Sequence, residues 1–195
     1  IVRNISNMTL DEKIGQMLFI GISSSSKTSL STSDKSILET IKPGGVVLMG
    51  YNIDTYNNTT KLISDIKATT NIPMFIATDQ EGVSVQRLTS LTNPTATYIP
   101  NMYKLGQTKS TSLAYDVGVV MGEELSALGF NMDFAPVLDI WSNPNNTVIG
   151  NRSFGNDATT VTTIGIQVGK GLKNANIIPV YKHFPGHGDT TEDSH

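Results

Sequence analysis

All three histidines of the chain, His183, His187 and His195, lie within Lys182-His183-Phe184-Pro185-Gly186-His187-Gly188-Asp189-Thr190-Thr191-Glu192-Asp193-Ser194-His195. Two glycines and a proline among the first seven of these residues forbid a regular helix. The polar side chains must therefore project from an irregular loop, where scaffolded active sites usually lie. Zinc is one chemistry such a set could support, since the histidines and the nearby carboxylates are all zinc ligand types. Spacing counts against it: His183 and His187 are four apart, which brings ligands together only on a helix, and Pro185 and Gly186 break that helix. A solvated tail is a second reading, but a tail seldom follows an apolar run such as Ile177-Ile178-Pro179-Val180-Tyr181. Proton transfer is the third. Asp193 and His195 are two apart, close enough for the carboxylate to orient the imidazole and raise its proton affinity, so that the pair can act as general acid and base.

The stretch Lys182 to Gly188, followed by Asp193-Ser194-His195, resembles the signature of family 3 glycoside hydrolases. The Asp-Ser-His ending is similar to the branch that removes β-linked N-acetylglucosamine; sister β-glucosidases lack it. Three further segments extend the resemblance over nearly the whole chain. Met8-Thr9-Leu10-Asp11-Glu12-Lys13-Ile14-Gly15-Gln16-Met17 resembles the family's opening. Thr78-Asp79-Gln80-Glu81-Gly82 with Val85-Gln86-Arg87-Leu88 resembles its first sugar-binding loop. The third runs from Asp133-Phe134-Ala135-Pro136-Val137-Leu138-Asp139 to Asn151-Arg152-Ser153-Phe154-Gly155. One departure stands between the blocks: Val83-Ser84 occupies the place where family members usually carry Gly-Arg.

The positioning elements can be read from apolar periodicity. Thr9 with Glu12 three residues later has the form of a capping box that starts a short helix. Apolar runs at Met17–Ile20, Val46–Met49, Met74–Ala77, Met132–Ala135 and Ile178–Tyr181 predict five strands. Between them fall helical patterns: about 33–41, a face of Leu62, Ile63 and Ile66, a stripe of Leu113, Val117, Met121, Leu125 and Leu128, and another of Val161, Ile164, Val168 and Leu172. Alternating strands and helices imply a parallel sheet, open or closed into a barrel. The family resemblance implies a (β/α)₈ TIM-barrel type of α/β fold. Five strands are used by residue 181, whereas such a barrel takes about 250 residues. Residues 1–195 are therefore expected to be the N-terminal part of a single (β/α)₈ catalytic domain, with about the first five β/α units present. Asp79, the Asp139-to-Arg152 loop and the Lys182-to-His195 loop all follow strand C-termini, which in a barrel form one catalytic face.

Composition bounds the partners. Hydrophobic residues make up 38% and charged residues 16%, and the net charge is −3, so there is no basic field for nucleic acid or anionic membrane. Neutral partners such as carbohydrates fit better, and no apolar stretch is long enough to span a membrane. The absence of cysteine excludes disulfides and thiolate metal sites. Low charge with abundant Ser, Thr and Asn leans towards a secreted or surface protein of a bacterium, with the cytoplasm as the alternative.

What the resemblance implies for chemistry is retaining hydrolysis without cofactor or metal. His195 would protonate the leaving oxygen and later activate water, with Asp193 holding its ring. Asp79, Arg87, Arg152, Lys182 and His183 would bind sugar hydroxyls. The nucleophile would be an aspartate beyond position 195, so this segment alone is expected to be inactive. Taken one at a time, these residues have structural explanations: Asp79 as a turn cap, Arg152 as an ion pair with Asp139 or Asp157, Lys182 as a solvated charge. Asp133 and Asp139 are read as loop-holding aspartates and left outside the catalytic set. A β-glucosidase, a glycosyl phosphorylase, a metal-dependent hydrolase and a non-catalytic N-acetylglucosamine-binding module remain as alternatives.

Overall fold

The computed structural model describes residues 5–24, 29–82 and 84–193. They divide into two compact units, one of Ile1–Thr78, Arg87–Ala96 and Ala127–Met132, the other of Asp79–Gln86, Thr97–Ser126 and Asp133–His195.

The first unit alternates α1 (Leu10–Gly15), β1 (Phe19–Gly21), α2 (Thr32–Ile41), β2 (Gly45–Val47), α3 (Tyr56–Lys67) and β3 (Phe75–Thr78). The expected capping box forms: the Glu12 amide donates to Thr9 Oγ1 at 3.2 Å, and the Thr9 amide donates to Glu12 Oε2 at 3.1 Å. Ser31 and Thr55 cap α2 and α3 by the same side-chain acceptance of an N3 amide. β1 pairs in parallel with β2 and β2 with β3, in a register that aligns Phe19, Gly45 and Phe75. Because Gly45 has no side chain, the two flanking rings stack across it at 6.1 Å and 11°. A Cβ on Gly45 would strike the Phe19 ring. Val46 and Ile76 are buried from the strands, and Leu62, Ile63 and Ile66 from α3, the face that the spacing predicts.

The second unit opens with a hairpin of β4 (Gln80–Gly82) and β5 (Val85–Gln86), antiparallel and irregular in register between Gln80 and Gly82. The remaining elements are α4 (Met102–Thr108), α5 (Thr111–Leu128), β6 (Met132–Asp133), α6 (Ala158–Asn174) and β7 (Ile178–Pro179). The Val180 amide donates to Asp133 O at 2.9 Å, and Val137 and Lys182 form a further parallel bridge. The strand order of the larger sheet is β1-β2-β3-β6-β7, so all five predicted strands are present and follow chain order. The hairpin was not predicted. No helix among the described residues is long and apolar enough to cross a membrane.

One helix face differs from the sequence reading. On α5 the buried residues are Ala114, Gly118, Met121, Gly122, Leu125 and Leu128, while Leu113 is 44% exposed and Val117 half-buried. Small residues account for the rotation. A Cβ on Gly118 would run into the carbonyl of Val168, and one on Gly171 into the carbonyl of Tyr115, so α5 and α6 touch backbone to backbone. A stripe judged by hydrophobicity alone overlooks glycines, which bury most closely where they carry no side chain. Gly118→Val should accordingly lower stability by about 3 kcal/mol in urea unfolding. Leu113→Ala, on the exposed side, should cost less than about 1 kcal/mol. The reverse ranking would restore the stripe read from the sequence.

Candidate active site

Asp79 and Glu81 are two apart on an extended segment, which places both side chains on one face. Lys182, three residues beyond the end of β7, reaches that face. Its Nζ lies 2.8 Å from Asp79 Oδ1 and 2.5 Å from Glu81 Oε1. Arg152 ends a short 3₁₀ turn, Gly150–Arg152, and grips Glu81 with both prongs: Nε to Oε2 at 2.8 Å and Nη2 to Oε1 at 2.9 Å. Its Nη1 donates to Val148 O at 2.9 Å. Glu81 is 3% exposed, and Lys182 and Arg152 are 15% exposed each. Burial works against the charged guanidinium, but the bond and charge of Glu81 outweigh it and hold the Arg152 pKa above its ordinary value.

A second cluster adjoins through the peptide link from Lys182 to His183. Asp139, 2% exposed, accepts at Oδ2 from the His183 amide (3.2 Å) and lies 2.6 Å from His183 Nδ1; its Oδ1 accepts from the His187 amide at 2.7 Å. Burial raises the cost of ionising Asp139, yet these bonds and the nearby His183 outweigh it and leave the carboxyl below its ordinary pKa. An ionised Asp139 only accepts, so His183 Nδ1 carries the proton and Nε2 is left as the ring atom for a ligand. His183 lines an open cleft of about 200 Å³ together with Leu138, Asp139, Tyr181, Lys182 and Phe184. The His187 ring lies edge-on to that of His183 at 6.1 Å; its Nδ1 lies 3.1 Å from Thr190 Oγ1, and its carbonyl accepts from Asn146 Nδ2 at 2.6 Å. Among the described residues no group of three or more His, Cys, Asp or Glu is disposed to hold a metal ion.

The structure thus gathers Asp79, Arg152, Lys182 and His183 in the second unit. Arg87 belongs to the first unit, where it opens the 3₁₀ turn Arg87–Ser90. Asp193 is exposed, while Ser194 and His195 lie outside the described residues, as does Val83. Arg152 is tethered, but by Glu81 and not by Asp139 or Asp157, and Lys182 is paired and not merely solvated. Glu81 was missing from the candidate set; the two-residue spacing from Asp79 was the signal that would have found it. Asp139 does hold a loop, as supposed, but the loop it holds carries His183.

Residues 9–195 match the family described as the glycosyl hydrolase family 3 N terminal domain. The chain belongs to this family. It is 34% identical over 184 residues to β-hexosaminidase LpqI of Mycobacterium tuberculosis, covering 94% of this chain and 45% of that protein. It is 39% identical over 163 residues to β-hexosaminidase A of Pseudoalteromonas piscicida, covering 78% of this chain and 26% of that protein. A solved family 3 β-N-acetylglucosaminidase from Paenibacillus sp. str. FPU-7 superimposes with a TM-score of 0.87 at 37% identity, over 96% of this chain and 35% of that one. The fold is therefore of the TIM-barrel α/β type, and the chain spans about half the length, or less, of these curated relatives.

Asp139 provides a test of the site's electrostatics. A carboxyl whose folded pKa is depressed contributes stability above its unfolded value, near pH 4, and loses it as pH falls through the folded value. The melting-temperature gap between the wild type and Asp139→Asn should be widest at pH 6–7 and narrow steadily below about pH 4. A gap independent of pH would mean that Asp139 is not ionised in the folded protein.

Proposed function

We propose that this chain supplies the sugar-binding part of a retaining β-N-acetylhexosaminidase acting on β-linked N-acetylglucosaminides such as cell-wall fragments. The observation that carries the reading is the linkage of residues singled out by the family motifs: Asp79 and Arg152 are joined to Lys182 directly or through Glu81, and Lys182 and His183 line an open cleft. Its charge is balanced: Lys182 and Arg152 face Asp79 and Glu81. A balanced set of donors and acceptors suits a neutral polyhydroxyl ligand, whose hydroxyls both give and take hydrogen bonds. The names carried by the relatives, β-hexosaminidase and β-N-acetylglucosaminidase, support the same substrate class.

In this reading Asp79 and Lys182 hold sugar hydroxyls, His183 Nε2 accepts from another, and Glu81 keeps both cations in place. Asp193 and His195 are the general acid/base pair by motif, with Asp193 orienting the imidazole. The nucleophile, as the family resemblance implies, is an aspartate outside residues 1–195; in retaining enzymes it lies about 5 Å from the acid/base. Residues 1–195 then form the N-terminal part of one catalytic barrel, without a cofactor, and the protein acts outside the cytoplasm.

The decisive assay compares an aryl β-N-acetylglucosaminide with the matching glucoside. The whole enzyme should prefer the former in kcat/KM, the ratio that reports differential transition-state binding. Equal or better turnover of the glucoside would move it to the β-glucosidase branch. His195→Ala should slow cleavage of disaccharides, whose leaving alcohols are basic, far more than glycosylation by an aryl substrate whose phenol needs little protonation. If both slow equally, or neither does, His195 is not the general acid. Chelator treatment that reproduces the defect would instead point to a metal.

A further inference from the structure

Asp133, the last residue of β6, adjoins the segment that carries Asp79 and Glu81 and is not used in the proposed chemistry. It is fully buried. Its Oδ1 accepts the Gln80 amide at 2.9 Å, and its Oδ2 has no hydrogen-bond partner. Gln80 is the residue between Asp79 and Glu81, the two carboxylates that share Lys182. We propose that Asp133 is a positioning residue of the sugar site: by accepting the Gln80 amide it fixes the segment that carries Asp79 and Glu81, and it does so as a neutral carboxylic acid.

The charge count favours the neutral form. Two cations, Lys182 and Arg152, are in contact with two carboxylates, Asp79 and Glu81. A third carboxylate here has no cation of its own. The groups that act on Asp133 are Lys182, which favours its ionisation, and Asp79 and Glu81, which oppose it. Burial is the largest influence and, despite the Gln80 amide, pushes the Asp133 pKa well up. A neutral acid with one unshared polar atom costs far less in such a place than a bare anion. One side-chain acceptor for a backbone amide then fixes the segment that carries both carboxylates, and through them Lys182 and Arg152.

The proposal rests on reading this pocket as the sugar site, and two measurements separate its failure from failure of that reading. In the whole enzyme, Asp133→Val removes the acceptor and should lower kcat/KM for an aryl β-N-acetylglucosaminide by about tenfold or more, the scale of a small misplacement. Asp133→Asn keeps the carbonyl acceptor without a charge and should recover most of that loss, to within about threefold of the wild type. The second measurement needs no substrate. Between its unfolded value, near pH 4, and its raised folded value the carboxyl ionises only in the unfolded chain, so this group's contribution to stability falls as pH rises in the wild type and is absent in Asp133→Asn. The melting temperature of Asp133→Asn relative to the wild type should therefore climb between pH 4 and pH 8, by about 3 °C or more. Asp133→Asn as impaired as Asp133→Val, or a flat difference across that range, overturns the neutral acid. Wild-type kinetics in a folded Asp133→Val overturns the positioning role. A wild type that cleaves no N-acetylglucosaminide sinks the sugar reading, while the pH series still decides the state of Asp133.

Discussion

The arrangement depends on one ammonium group. Lys182 Nζ is largely withdrawn from water and lies between Asp79 and Glu81, with Arg152 taking the rest of Glu81. Bringing four charges out of water is expensive, and the attraction among them returns the cost only when each is paired in good geometry. The cluster is thus poor evidence for stability and good evidence for placement. Removing any member leaves a partner buried without its counter-charge, so all four positions are fixed together. The segments tied by these contacts are the start of the β4 hairpin, the Gly150–Arg152 turn and the loop after β7, and Asp139 extends the tie to His183.

The parts of the fold that follow local rules were readable in the sequence. Five strands appear where short apolar runs predicted them; the burial that favours unbroken apolarity is clearest in the central strands, at Val46 and Ile76, while Phe19 and Ile178 of the end strands stay partly exposed. The Thr9–Glu12 box forms because its two bonds join residues three apart. Failures occur where long-range packing decides. The buried face of α5 is set by glycine contacts with α6, and an apolar stripe through Leu113 carries no trace of them. The β4–β5 hairpin is three residues against two, too short and too polar for a period-two signal.

The site divides in the same way. The motifs named Asp79, Arg152, Lys182 and His183, and the structure brings them into one unit. The pairings among them were not legible: Glu81 and Arg152 are 71 residues apart, and Lys182 and Asp79 are 103 apart. Spacing told only that Asp79 and Glu81 share a face. Asp139 was read as a loop anchor, which it is, but its target became visible only when residues 44 and 48 positions away were placed on its two oxygens.

Charge balance also bears on what this pocket can accept. Each cation already has a carboxylate at hydrogen-bond distance, so an anionic ligand bound against Lys182 or Arg152 would have to displace Asp79 or Glu81 and strand a buried negative charge. A hydroxyl imposes no such exchange: it can donate to a carboxylate and accept from the ammonium while both keep their partners. The departure at Ser84 is in keeping with this balance. Where relatives of the family usually carry arginine, the serine hydroxyl donates no net charge and lies 3.3 Å from Asn151 Oδ1, next to Arg152 in sequence. The pairing of Lys182 and Arg152 with Asp79 and Glu81 thus supports the proposed neutral, hydroxyl-rich ligand on electrostatic grounds alone.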